Sequence, residues 1–211
     1  AATYSYAWTV PSGATAPGDV ATFTTSVAGT YSVIITNTVT GCVSLSASGT
    51  VTINALPTVT VNNSTVCQGQ VTTLTATPGT SGTYTYTWTT PSGMSNPGNV
   101  ATFTTTLAGT YTVSITSSAG CTSAIATSTV VINATPVASV NSVSICQGGQ
   151  ATLTASVTVV GSYSYAWTVP SGASNPGNVA TFSASVAGNY SVVVTNTATG
   201  CVSLSATGTV T

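Results

Sequence analysis

The sequence has no lysine, no arginine and no histidine, and its one acidic residue is Asp19. At ordinary usage of about 25% charged residues, a chain of 211 residues would carry roughly 50. General acid–base catalysis needs a group that titrates near neutrality, and a nucleophile needs an adjacent base, a lowered pKa or a metal. The chain supplies no such set, so it reads as a non-enzyme with no catalytic residues. Without cations it has nothing to neutralise nucleic-acid phosphates or anionic lipid headgroups. One carboxylate is too few for a hard metal site, and the lack of His and of a Cys-x-x-Cys pair removes zinc and redox centres, so no metal or cofactor is expected. Long apolar runs are missing too. Thr, Ser or Gly interrupts every stretch within a few positions, which argues against membrane insertion. No charged and apolar leader opens the chain, so a secretory signal is expected either to have been removed or to lie outside this stretch.

What remains is apolar residues at 42%, abundant Thr and Ser, 3 Trp and 9 Tyr, enough material to bury and fold. An internal repeat of about 80 residues organises it. Trp8, Trp88 and Trp167 recur at that spacing, as do Cys42, Cys121 and Cys201, and in a second phase Cys67 and Cys146. Apolar residues alternate with Thr or Ser at period two. Tyr84, Tyr86 and Trp88 share one face while Thr85, Thr87 and Thr89 take the other, and Tyr111, Val113 and Ile115 alternate likewise. No useful stripe of 3.6-residue period exists, so helix is expected to be absent. Pro91-Ser92-Gly93 and Asn96-Pro97-Gly98-Asn99 punctuate the strands as turns. The expected fold class is all-β: tandem sandwich repeats in a linear array. In immunoglobulin lettering, strand A falls near Thr58–Asn62, B near Thr72–Thr77, C near Tyr84–Thr90, E near Ala101–Thr105, F near Thr110–Thr116 and G near Cys121–Ile132.

Short Pro-bearing joints at Asn54-Ala55-Leu56-Pro57 and Asn133-Ala134-Thr135-Pro136 set the repeat boundaries, at 1–54, 55–133 and 134–211, and restrict rotation between neighbours. The first repeat is partial, because its counterparts of strands A and B are missing. Exchange between copies leaves no spare, since three C-to-G sets face only two A–B sets. The chain therefore reads as a stretch of a longer polypeptide, or as a strand of something repeated.

The run Cys67-Gln68-Gly69-Gln70 before Thr73-Leu74-Thr75-Ala76, then Tyr86-Thr87-Trp88, then Gly109-Thr110-Tyr111-Thr112-Val113 and Gly120-Cys121, resembles the immunoglobulin-like and PKD-like repeats of large Bacteroidota cell-surface adhesins. Those adhesins are exported by the type IX system, and some are used in gliding. The resemblance recurs in every copy and implies modules that are often spacers.

Five cysteines in a Thr-rich β chain argue for an oxidising, extracellular or cell-surface setting. Two pairings stand open. Within a domain, Cys67 would join Cys121 and Cys146 would join Cys201. Yet these positions fall at opposite ends of a sandwich, about 23 Å apart for a strand of about 7 residues, and a disulfide spans only about 4.4–6.8 Å between Cα atoms. Head-to-tail stacking instead brings Cys67 of the second repeat to Cys201 of the third and leaves Cys42, Cys121 and Cys146 for partners outside the stretch.

Trp8, Trp88 and Trp167 take the strand C position that packs between sheets, and Tyr31, Tyr111 and Tyr190 the E–F corner where a hydroxyl bonds backbone. All six are expected in the core. Tyr84, Tyr86, Tyr163 and Tyr165 are candidates for partly exposed aromatics. Asp19 aligns with Asn99 and Asn178 and reads as a turn former. The expected function is a structural stalk or fibre, with copies of itself or neighbouring repeats as partners, side by side or end to end. The alternative is an adhesive module for surface glycans through exposed Tyr, or for ice through ladders such as Thr83-Thr85-Thr87-Thr89.

Overall fold

The computed structural model describes residues 3–211. It divides into two compact units. One comprises the residues up to Pro57 together with Thr116–Thr122, and the other Thr58–Ile115 with Ser123–Thr211. No helix occurs among the described residues, and none is long and apolar enough to cross a membrane.

The first unit holds β1 (Tyr4–Thr9), β2 (Gly29–Asn37) and β3 (Ala47–Val51), an antiparallel sheet in the order β1-β2-β3. Trp8 stands opposite Val33, and Tyr31 opposite Gly49. In lettered terms these are C, F and G. The expected strand E is not formed here: residues 22–25 run beside the sheet without pairing. Elsewhere in the chain strand E pairs with strand B alone, so where B is missing E has no ladder to join.

The second unit carries two sandwiches. The first consists of β4 (Val59–Val61), β5 (Ser64–Cys67), β6 (Thr72–Pro78), β7 (Tyr84–Thr89), β8 (Thr102–Thr105), β9 (Gly109–Ser117) and β10 (Ala126–Asn133). One sheet runs β4-β6-β8 and the facing sheet β5-β10-β9-β7. Strand A, expected as one element near Thr58–Asn62, is therefore two strands in opposite sheets. Two asparagines carry the chain across. Asn62 Nδ2 donates to Thr73 O (3.0 Å) while its Oδ1 accepts Thr75 N–H (2.7 Å), completing the ladder toward β6. Asn63 Oδ1 accepts Thr129 N–H (2.8 Å) on the other side. With the backbone polar groups thus satisfied, β5 turns to pair in parallel with β10, Cys67 opposite Asn133.

Strand G was expected from Cys121, but β10 begins only at Ala126. A bulge intervenes: Ile115 N–H donates to Ser123 Oγ (3.0 Å), Ser123 N–H to Ile115 O (2.9 Å), and the Ser123 hydroxyl to Ala124 O (2.8 Å).

The second sandwich has β11 (Ala138–Val140), β12 (Ala151–Val157), β13 (Tyr163–Thr168), β14 (Thr181–Ala184), β15 (Gly188–Asn196) and β16 (Ala206–Val210). Its sheets are β11-β12-β14 and β13-β15-β16. The crossing strand shrinks to a single parallel bridge, Val143 to Val210, extended by Ile145 N–H donating to Thr211 O (2.8 Å).

Period-two alternation accounts for the cores. In β6, Thr72, Leu74 and Ala76 point inward while Thr73, Thr75 and Thr77 face solvent. Leu74, Trp88, Tyr111, Val113 and Val130 fill the first core, and Leu153, Trp167, Tyr190, Val192 and Val194 the second. Among the described residues no buried side-chain nitrogen or oxygen lacks a partner. One glycine in each repeat is dictated by contact as well as by φ: at Gly109 (φ +146°) a Cβ would lie 2.8 Å from the Pro91 ring that ends the Trp strand, and Gly29 and Gly188 meet Pro11 and Pro170 in the same way.

Candidate functional site: the stapled joint and the open sheet

Each repeat builds the same aromatic file. Trp88 meets Phe103 edge-on at 4.8 Å between centroids, and Phe103 meets Tyr111 at 5.9 Å. Trp88 Nε1 donates to Val100 O (2.8 Å), and the Tyr111 hydroxyl donates to Leu107 O (2.9 Å) beside Thr105 Oγ1. Trp167 and Tyr190 repeat these bonds to Val179 O and Val186 O, as Trp8 and Tyr31 do to Val20 O and Val27 O. These residues hold the fold and leave no free polar group aimed at a ligand.

Exposure is where the copies differ. Trp88 is 2% exposed and Trp167 5%, but Trp8, expected in the core, is only half-buried. Among the described residues no second sheet covers it, although Tyr31 keeps its buried position. In its place lies an open groove of about 350 Å³, lined by Trp8, Phe23, Tyr31, Val33 and Val51 among others.

Asp19 is a strand latch. Its carboxylate accepts Tyr6 N–H at 2.6 Å, and Asn99 Oδ1 and Asn178 Oδ1 accept Tyr86 and Tyr165 N–H at 2.7 Å each. An amide oxygen does the same work, so Asp19→Asn is expected to change stability by less than about 0.5 kcal/mol in chemical denaturation, and to leave a chain with no charged side chain. A loss of more than about 2 kcal/mol would show the charge itself to be required.

The cysteines form the one covalent feature. Cys67, at the end of β5, is bonded to Cys201, in the hairpin between β15 and β16, with Cα atoms 5.6 Å apart. Neither within-domain pairing is therefore made. The reason is topological: Cys67 lies beside the end of the last strand of its own sandwich, where the next repeat begins, and the next repeat's F–G hairpin comes to meet it. Cys201 Sγ sits 4.0 Å from Asn133 O at that junction. Cys42, Cys121 and Cys146 are free, with Cys42 and Cys146 exposed and Cys121 half-buried. Among the described residues no group of His, Cys, Asp or Glu is placed to hold a metal.

Tyr84, Tyr86, Tyr163 and Tyr165 are half-buried, and Tyr84 and Tyr163 tie their hydroxyls to Thr80 and Val159. Tyr4, in the first copy, is 51% exposed. Thr85, Thr87 and Thr89 face solvent on β7, the edge of its sheet. Sequence reading missed another feature: Leu45 (93% exposed) and Leu204 (91%) stand at the same place in the first and third repeats, two residues before the last strand, where the second repeat has Ala124 and exposes Ile125 (70%) one position later. The recurrence of Leu45 as Leu204, each three residues after its cysteine, was the available signal, hidden because a lone Leu near a strand reads as core.

The chain is an all-β series of immunoglobulin-like sandwich repeats. Three-domain fragments of titin share this fold over the whole chain. The I-band fragment I67–I69 and its E-to-A mutated variant each align at 17% identity and a TM-score of 0.51, covering 100% of this chain and 87% of theirs. Extracellular domains 3–5 of Drosophila OTK align at 16% identity and a TM-score of 0.47 over 87% of this chain and 71% of that one. No family model and no curated protein sequence matches the chain.

Proposed function

We infer that the chain is a stalk region of an extracellular bacterial surface protein or filament, whose task is reach and mechanical continuity. The Cys67–Cys201 bond carries this reading, because it ties the end of one sandwich to the facing hairpin of the next, and a hinge between modules would have no use for it. An oxidising exterior keeps such a bond. The near-absence of charge supports a second part of the proposal, side-by-side association of copies, since no net repulsion holds them apart. Leu45, Ile125 and Leu204 leave each repeat an exposed apolar side chain just before its last strand.

Sedimentation of the purified chain tests the reading. The mean mass is expected to rise with concentration and to be the same at about 0.05 and about 1 M salt, because few charges exist to screen. Replacing Leu45, Ile125 and Leu204 together by Ser is expected to abolish the rise. Chains that stay single at every concentration would contradict the association. Retention of the chain on a glycan array, lost on Tyr4→Ala, would favour the adhesive reading instead.

A further inference from the structure

We propose that the recess at the stapled joint between the two complete sandwiches is a self-association site, filled by Leu204 of a second copy. The proposal rests on the side-by-side association inferred above and names the surface that makes it. The recess holds about 510 Å³ and lies wholly within the second compact unit. Both sandwiches build it. Gln68 and Gln70, in the turn after β5, line it from the first, and Pro136, Val137, Val202 and Leu204 from the second.

Local bonds fix each contribution. Gln68 N–H donates to Asn133 O (2.8 Å) and Gln70 N–H to Cys67 O (3.0 Å), which sets the turn. Ser203 is held inward: its N–H donates to Val194 O (2.8 Å), and its Oγ accepts Val194 N–H (2.9 Å). Its neighbours Val202 and Leu204 therefore point outward, as alternation along an extended chain requires. Val202 is 49% exposed, Val137 60%, and Leu204 almost fully. Gln68 directly follows Cys67 and Val202 directly follows Cys201, so the disulfide ties the two sides of the recess together.

Charge decides what fits. No lining residue is ionisable, so a partner that buried a charge there would leave it unpaired. A second copy brings none, because its one charged side chain, Asp19, belongs to the first repeat. Shape points the same way. Leu204 projects beside the recess that it helps to line, so a two-fold axis past that rim sets each copy's Leu204 into the other's recess and makes the contact twice. The exposed amides of Gln68 and Gln70 both donate and accept, which lets identical residues bond each other across the axis. Single exposed aliphatics are ordinary, but three converging on one recess are the mark of a covered surface.

The sequence sets the register. The run Cys201-Val202-Ser203-Leu204-Ser205-Ala206 is identical to Cys42-Val43-Ser44-Leu45-Ser46-Ala47, whereas the run between them is Cys121-Thr122-Ser123-Ala124-Ile125-Ala126. The contact thus belongs to every second hairpin, and packed copies are expected to register at a spacing of two repeats.

The test is sedimentation of the full chain with Cys42, Cys121 and Cys146 alkylated, which prevents disulfides between copies. The mean mass is expected to rise with concentration toward that of two chains. Leu204→Ser alone is expected to weaken the association at least about tenfold, since each pair returns two leucines to water. Val137→Gln, on the other side of the contact, is expected to weaken it as well, and Ile125→Ser to leave it unchanged. All three positions are exposed, so the fold is expected to persist, which circular dichroism checks. Cys67→Ser/Cys201→Ser, which frees the two sides of the recess from each other, is expected to lose the rise. A diazirine side chain at position 204, in a mixture of light and isotope-labelled chains, is expected to cross-link to residues 135–138 of the other chain. A rise in Leu204→Ser equal to that of the unaltered chain, when the triple Ser replacement abolishes it, would overturn the proposal and leave the association standing. No rise in the unaltered chain would remove both. Cross-links from position 204 to another segment, or retention of a neutral oligosaccharide that Gln68→Ala/Gln70→Ala abolishes, would give the recess a different occupant and overturn the proposal.

Discussion

Pulled by its two ends until every fold is lost, the oxidised chain is expected to stop short of the reduced chain by roughly 440–480 Å. The bond spans a sequence separation of 134, and an extended residue contributes about 3.3–3.6 Å. Load entering from the first repeat reaches Cys67 at the end of β5, crosses the disulfide to Cys201 and leaves through β16. Everything between, including the Trp88 and Trp167 cores, is outside the force path. Extension of the oxidised chain should therefore come from the residues before Cys67 and after Cys201, and reductant should release the hidden length as added unfolding steps. For a stalk this arrangement means that the cores of the stapled pair need not resist tension. A contour length unchanged by reductant would remove the force-bypass reading.

The second large effect separates the tryptophans. Trp88→Ala is expected to cost about 3–5 kcal/mol, the range for emptying a buried aromatic site. The ring is 2% exposed, packs edge-on against Phe103 and donates to Val100 O, so its removal leaves both a cavity and an unpaired carbonyl. Trp8→Ala makes the same chemical change at the same repeat position, but at a half-buried ring whose neighbours already meet water. Its cost is expected to be at most about half as large, because less area returns to solvent and water replaces the lost partner. Denaturant titrations followed by circular dichroism check this. Equal losses would mean that Trp8 is as enclosed as its counterparts.

Much of the fold was legible because strand alternation and turn chemistry are local. Tyr84, Tyr86 and Trp88 against Thr85, Thr87 and Thr89 declare a strand with one inward face, and Pro91-Ser92-Gly93 declares its end. What escaped was decided by partners far along the chain. The division of strand A depends on Asn62 and Asn63 reaching Thr73, Thr75 and Thr129, and two adjacent asparagines by themselves read as a loop. The late start of β10 depends on one serine, Ser123, replacing a backbone bond. The loss of strand E in the first copy, and with it the half-burial of Trp8, follows from a missing partner rather than from any difference in its own residues: Thr22-Phe23-Thr24-Thr25 is the same as the sequence of β8. For the cysteines, strand direction and length weighed against the within-domain scheme and left head-to-tail pairing beside it, and the 5.6 Å approach of Cys67 to Cys201 belongs to the packing of two repeats.

Whether successive sandwiches are bonded to one another or each within itself is decided most directly by mapping the linkages. Trypsin has no lysine or arginine to cut, so pepsin at low pH, which also suppresses exchange, is the suitable protease. Non-reduced digests are expected to yield one cross-linked product joining the Cys67 and Cys201 peptides. Recovery of Cys67 with Cys121, or of Cys146 with Cys201, would contradict the stapled joint and the stalk built on it.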